Sequence, residues 1–103
     1  MPELLSGHVD LLLLSMLAHG PAHGYRLVDE LRERSDGTFD LAEGTVYPAL
    51  YRLERRGHVT SAWETATGRR RRVYRLTARG RSALEQRRGE WQAFRAAVEV
   101  VVA

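Results

Sequence analysis

Residues 45–77, TVYPALYRLERRGHVTSAWETATGRRRRVYRLT, contain the pattern that decides the fold. Val46, Leu50 and Leu53 recur at helical spacing and predict a helix over residues 45–56 that ends at Gly57. Two strand-like runs follow, residues 58–65 and 70–76, and the turn residues between them predict a β-hairpin. A helix followed directly by a hairpin is the second half of a winged helix-turn-helix.

Local signals set the predicted ends of this helix. Thr45 offers a side-chain N-cap, and Pro48 then falls in the first turn, where a missing N–H costs little.

Three further helices are predicted around this stretch. Residues 9–17 are apolar on nearly every face and stop before Gly20-Pro21, and residues 22–34 form a second, amphipathic helix. Residues 38–41 alternate and predict a very short strand, while Thr77 can cap a last helix running from residue 78 to near the C-terminus. The chain is therefore expected to be mainly α with a small β-hairpin: a winged helix-turn-helix over residues 1–77 and a long C-terminal dimerisation helix over residues 78–103.

The composition excludes several classes of protein. Among 103 residues there is no cysteine, which rules out disulfides and thiolate chemistry, and 44% are hydrophobic, as in a globular domain. No apolar run reaches the roughly 18 residues that cross a bilayer, and the start lacks signal-peptide features. We therefore expect a cytoplasmic protein without a membrane partner.

Charge is distributed unevenly along the chain. Residues 1–44 hold 3 arginines against 8 acidic residues, whereas residues 45–103 hold 13 arginines against 5. Such asymmetry indicates an anionic partner for one surface, most often nucleic acid. The use of arginine alone, without lysine, is equally explained by the coding bias of a GC-rich genome.

The outer face of the helix over residues 45–56 is the first candidate for DNA contact. If the three apolar residues pack inward, polar groups suited to phosphates and base edges face outward. These are Thr45, Pro48, Tyr51, Arg52 and Arg55. The alternative is an ordinary amphipathic helix with a solvated face.

The hairpin is the second candidate. Tyr74 and Leu76 are expected to pack on the helices with Val59 and Trp63 of the partner strand, leaving arginines at the tip to grip phosphate. The candidate residues are Arg70, Arg71 and Arg72. An arginine-rich tip that serves only solubility is the alternative.

The C-terminal helix carries an apolar seam at heptad spacing. Leu84, Trp91 and Val98 repeat every seven residues, and Phe94 and Val101 follow the three-residue offset. Pairing with a second copy would bury this seam and cover the first helix, including Leu12. The alternative is a helix folded back on its own domain. Trp91 and Phe94 could also line a cavity for a planar aromatic effector, although a tryptophan on such a seam is more often core.

Metal binding and catalysis are not expected. His19 and His23 are separated by Gly20-Pro21, so no continuous helix presents them together, and no carboxylate pair lies near them. No nucleophile–base arrangement or phosphate-binding glycine loop is present. We expect a protein that is not an enzyme and uses no cofactor.

Several of these segments together resemble the PadR family of bacterial transcriptional regulators. The matching segments are Leu4-Leu5-Ser6-Gly7, Gly20-Pro21-Ala22-His23-Gly24-Tyr25, Glu43-Gly44-Thr45-Val46-Tyr47-Pro48-Ala49-Leu50, Arg52-Leu53-Glu54, Gly57 and Arg71-Arg72-Val73-Tyr74-Arg75-Leu76-Thr77. Val73 stands where many members have an aromatic residue. The chain resembles the short subtype, which offers less surface for an effector.

The resemblance implies a homodimeric repressor on a pseudo-palindromic operator of double-stranded DNA, released by a small, often aromatic effector. It adds Tyr25 and Tyr47 to the residues at or near DNA, and it matches Trp91 to a tryptophan that contacts planar ligands at the dimer interface. The rival hypothesis is a ligand sensor or protein-interaction module that keeps this fold but reads no DNA.

Overall fold

The computed structural model describes residues 7–103, so the Leu4-Leu5-Ser6 part of the first matching segment lies outside the described residues. It contains four helices and three strands. In chain order they are α1 (Val9–Leu17), β1 (Ala22–His23), α2 (Gly24–Arg34), α3 (Glu43–Arg55), β2 (Val59–Ala66), β3 (Arg69–Leu76) and α4 (Ala78–Val102).

The core forms where α1, α2 and α3 meet. Val46, Leu50 and Leu53 of α3 are fully buried, which confirms the predicted inward face of that helix. Leu13 and Leu14 of α1 are buried as completely, because α1 contacts α2, α3, α4 and β3. The nearly continuous apolar character of α1 therefore reflects neighbours on several sides.

The strands form one antiparallel sheet in the order β1-β3-β2. β1 was not predicted from the sequence: Ala22 pairs with Tyr74 and His23 with Val73. The predicted strand over residues 38–41 is wrong, since this segment is irregular; Leu41 is buried in the core and Phe39 packs partly buried against it. The cap of α2 lies next to β1, where His23 Nδ1 accepts the Arg26 N–H at 3.2 Å.

The start of α3 also differs from the prediction. Its N-cap is Ala42, which makes no side-chain cap, so Thr45 is the third residue of the helix rather than its cap. Pro48 consequently lies inside α3, beyond the first turn. Its missing N–H leaves the Gly44 carbonyl without its usual helical donor.

The hairpin of β2 and β3, here called the wing, closes through a two-residue turn. Thr67 and Gly68 have φ of 50° and 75°, the pair of positive values that defines a type I′ turn. Both strands therefore extend to residues 66 and 69, and Ala66 pairs with Arg69 at the tip. The right-handed twist of this turn suits a regular hairpin that projects from the body.

The base of α4 belongs to the core of the domain. Thr77 caps the helix as predicted, accepting the Gly80 N–H at 3.0 Å. Leu84 is only 2% exposed within its own chain, so the expectation that it lies in a dimer seam is wrong. Beyond this point α4 is mostly exposed, and its 25 residues make a rod about 37 Å long.

Candidate nucleic-acid interface

The outward face of α3 carries an exposed tyrosine beside an arginine. Tyr51 is 61% exposed, and the Arg55 guanidinium lies 5.8 Å from the centre of its ring. Arg55 Nη1 also donates to the Tyr51 hydroxyl at 3.4 Å. Pro48 is exposed on the same helix and Thr45 is half-buried. Two of the predicted contact residues are thus held together in a position open to a large ligand.

Two further tyrosines lie where α2 meets α3. Tyr25 is 58% exposed, and a hydrogen bond to the Glu43 carboxylate, together with its charge, raises the pKa of Tyr25. The Tyr47 ring instead covers Gly24 so closely that a Cβ there would meet it, and burial raises the pKa of Tyr47. Both hydroxyls therefore stay protonated at neutral pH. Tyr25 is exposed with its hydroxyl donated to Glu43, whereas Tyr47 is held half-buried between the two helices.

Arg52 is tied to the first helix by an acidic residue that the sequence analysis did not single out. Asp10 is buried, and its carboxylate accepts from Arg52 at 3.3 Å, Arg56 at 3.5 Å and Arg87 at 3.4 Å. These four residues, here called the Asp10 cluster, join α1 to α3 and α4. Half of the Arg52 side chain remains exposed, so the guanidinium is oriented without being enclosed.

Trp63 organises the arginines of the wing. It was expected to pack inward, but it lies opposite Arg72 and is 56% exposed. Arg70 and Arg72 lie over its ring, with guanidinium carbons 5.1 and 5.6 Å from the ring centre. Cation–π contacts of this kind keep both guanidiniums extended along the strand face.

Arg72 differs from Arg70 in having partners in the body. It donates to Ser61 Oγ at 2.9 Å and lies 3.7 Å from the Glu54 carboxylate of α3. Glu54 in turn accepts the Ser61 hydroxyl at 2.7 Å. The network fixes the wing against α3, so Arg72 is not at a free tip as expected.

Arg71 lies on the other face of the wing, beside the cap of α2. Its Nη1 is 3.1 Å from His23 Nε2. Burial first, and then the charge of Arg71, lower the pKa of His23, which favours a neutral ring. A neutral imidazole has one acceptor nitrogen and His23 uses Nδ1 to cap α2, so Arg71 is in contact without being firmly bonded. Arg69, which was not predicted as a contact residue, pairs with Ala66 at the end of the hairpin and extends the basic strip to the tip.

The exposed part of α4 carries the remaining candidates. Trp91 is 39% exposed and Phe94, Val98 and Val101 are more so, while Leu12 of α1 is half-buried. His8 completes an aromatic group, with its ring 5.5 Å from Trp91 and 6.5 Å from Phe94. These rings line a cavity of about 340 Å³, which the sequence could not disclose because His8 is distant along the chain.

Residues 7–103 also bear on two other classes of site, a metal site and a membrane span. No group of three or more histidine, cysteine or acidic side chains is placed to hold a metal ion, and His19 lies instead 3.2 Å from Arg34. No helix in the same range is long and apolar enough to cross a membrane.

Comparison with known proteins identifies the family. Residues 13–86 match the family described as transcriptional regulator PadR-like. Transcriptional regulator Rv3488 of Mycobacterium tuberculosis is 39% identical over 88 residues, covering 85% of this chain and 79% of that protein.

Solved structures agree with this match. A transcriptional regulator from Clostridium thermocellum superposes with a TM-score of 0.88 at 30% identity, covering 96% of this chain and 94% of that one. A PadR family regulator from Clostridium difficile superposes with a TM-score of 0.84 at 32% identity, covering 94% of this chain and 100% of that one. The predicted winged helix with a long C-terminal helix is confirmed, and so is the expectation that the protein is not an enzyme. The chain belongs to the PadR-like family of transcriptional regulators.

Proposed function

We propose that the chain is a homodimeric, sequence-specific DNA-binding repressor that a small aromatic effector releases from a pseudo-palindromic operator. The observation that carries the proposal is the continuity between α3 and the wing. Arg72 contacts Glu54 of α3, and Arg71 contacts the cap of α2. Exposed tyrosines and guanidiniums therefore lie side by side, as a protein that enters a groove and grips the flanking backbone requires.

The proposed contacts divide into two groups with different roles. Tyr51, Arg55 and Arg52 of α3 enter the major groove, with Thr45, Tyr47 and Pro48 at its edge. Tyr25 and the wing residues Arg70 and Arg71 hold the backbone, while Arg72, paired with Glu54, positions the wing for these contacts. Phosphate contacts orient a protein without reading sequence, so specificity rests mainly on α3. The Asp10 contact orients Arg52 towards this role while leaving half of its side chain free.

The first experiment selects bound duplexes from a random DNA pool and then measures affinity against salt by fluorescence anisotropy. Arg70→Gln and Arg71→Ala should each lower the slope of log K against log salt by about 0.9, because one phosphate contact is lost. Tyr51→Phe should weaken binding at every salt concentration by loss of a hydroxyl donor.

Arg95→Gln is the matched control, since it removes one positive charge from exposed α4, where Arg95 faces only Glu99. If Arg70→Gln shifts the slope no more than this control does, the wing is not a DNA contact. A selection that enriches no sequence, with the fold intact, favours the rival interaction module.

The dimer proposal rests on the apolar side chains that α4 leaves exposed, namely Trp91, Phe94, Val98 and Val101. They recur at the a and d positions of a heptad, the pattern of a helix that pairs with another. Light scattering after size exclusion should give twice the 11.7 kDa chain mass. Val98→Glu should shift the protein towards monomer, whereas Val100→Glu, exposed but off the seam, should not; equal behaviour of the two variants would exclude this seam.

The effector proposal rests on the cavity beside Trp91, Phe94 and His8, whose volume of about 340 Å³ suits a small planar molecule. The chain has only two tryptophans, Trp63 and Trp91. In a Trp63→Phe background, a panel of planar aromatic compounds should quench Trp91 fluorescence and lower affinity for the selected DNA. A compound that releases DNA without affecting Trp91 would place the effector site elsewhere.

A further inference from the structure

A second cavity lies beside the first half of α4 and adjoins the aromatic one, with which it shares Arg87 and Glu90 in its lining. It measures about 480 Å³, and its lining includes His58, which follows α3, together with Arg79, Ser82, Gln86, Arg87 and Glu90 of α4. The volume is within the range of small-molecule sites. Its lining is polar and cationic rather than aromatic, so it calls for a different class of ligand.

The charges around this cavity do not balance. Arg87 shares the Asp10 carboxylate with Arg52 and Arg56, so three guanidiniums face one carboxylate. Arg79 has no ion-pair partner among residues 7–103, and it lies against Gly57, where a Cβ would stand 3.2 Å from its Nη1. Glu90 is the one acidic residue of the described lining. A net positive charge therefore remains without a protein counter-charge.

The surroundings of His58 show the same excess of positive charge. Burial first, and then the charges of Arg79, Arg56 and Arg87, lower its pKa, against the opposing effect of Asp10. Its Nδ1 is buried without a hydrogen-bond partner in the described residues. The imidazole is thus kept neutral, and the cationic character of the cavity comes from the guanidiniums alone.

We propose that this cavity binds a small anion through a phosphate or carboxylate group. Arg79 and Arg87 supply planar forks that match either group, while Ser82 and Gln86 add uncharged donors. Arg79 and Ser82 belong to the first turns of α4, where the helix dipole also favours negative charge. The site requires neither DNA nor an aromatic ligand.

The test measures thermal unfolding and binding heat of the full chain with sodium phosphate, sodium citrate and sodium chloride at equal ionic strength. Phosphate, citrate or both should raise the unfolding midpoint saturably, by about 6 °C at ten times Kd, and the active salt identifies the preferred head group. Chloride at equal ionic strength should give no comparable rise. A rise of the same size in chloride would overturn the proposal, because it would reflect ionic strength alone.

Variants locate the site. Arg79→Gln should weaken anion binding roughly tenfold or more through loss of a charged hydrogen-bond donor, with its unfolding midpoint in chloride nearly unchanged. Arg87→Gln should do the same but also lower the baseline midpoint, because it leaves the Asp10 cluster. Arg81→Gln, exposed on the same helix and outside the lining, is the matched control. Anion binding by Arg79→Gln equal to wild type, or lost equally in Arg81→Gln, would overturn the proposal.

Discussion

Two glycines of α4 should respond in opposite directions to the same substitution. Gly80 lies so close to the backbone carbonyl of His58 that a Cβ would collide with it, and Leu76 Cδ1 would stand only 2.7 Å away. That carbonyl is fixed by the Thr77 N–H at 3.1 Å, and the Thr77 hydroxyl donates to Gly57 at 2.6 Å. Gly89, in contrast, has nothing within 4 Å of a Cβ.

The expected magnitudes follow from these surroundings. Alanine is favoured over glycine inside a helix by roughly 0.5–1 kcal/mol, so Gly89→Ala should raise the free energy of unfolding by about that amount. In Gly80→Ala the same gain is outweighed by overpacking, about 1–3 kcal/mol, and by strain on the Thr77 cap, worth about 1 kcal/mol. A net loss of about 2 kcal/mol places the two variants about 3 kcal/mol apart.

Urea denaturation followed by circular dichroism, at one fixed protein concentration, measures this difference. Gly89 lies five residues after Leu84, on the face of α4 away from the apolar seam, so pairing of two copies should not complicate the control. If Gly80→Ala proves as stable as Gly89→Ala, the close approach of α4 to His58 does not constrain the fold. The anchoring of α4 would then have to depend on Leu84 and on the contact between Arg87 and Asp10.

Three further predictions test separate features of the structure. Thr67→Asn should raise the free energy of unfolding by about 0.5–1 kcal/mol in urea, because a β-branched residue is strained at φ of 50°. Asp10→Asn should lower the free energy of unfolding by about 1–2 kcal/mol, because the shared carboxylate is lost. The control Asp29→Asn removes one partner of an exposed ion pair and should change the free energy of unfolding by less than about 0.5 kcal/mol. Because the pKa of His58 is lowered in the folded chain, this imidazole takes up a proton at a higher pH in the unfolded chain than in the folded one. The thermal unfolding midpoint should therefore decrease as the pH is lowered below about 6.5. This decrease should be less steep in His58→Gln, which lacks the group that takes up the proton.

The helical framework could be predicted because its signals are local. The three apolar positions of α3 repeat at helical spacing, and all three are fully buried. Gly57, with φ of 79°, ends that helix where the sequence placed its end. β1 could not be predicted in the same way: two residues are too few to show a period, and their partners in β3 lie about fifty positions along the chain.

Trp63 shows how a correct pattern can lead to a wrong position. Alternation puts it on the same side of β2 as buried Val59, as expected. Four residues of strand carry it about 13 Å further along the wing, beyond the edge of the core. Periodicity specifies a face of the sheet but does not say where the helices beneath it end. Leu84 is the converse case, a heptad position that falls within reach of its own core.

The run of four arginines overstates the number of charges available to an anionic partner. Arg72 is compensated by Glu54, and the next arginine of β3, Arg75, lies 2.7 Å from Glu64. Arg69, Arg70 and Arg71 have no acidic partner within ion-pair distance among residues 7–103. Counterion release follows the phosphates actually neutralised, so the wing should contribute nearer three contacts than five per chain to the salt dependence. Arg72 and Trp63 then serve to set the angle of the wing against α3, which decides whether helix and wing can contact one duplex together.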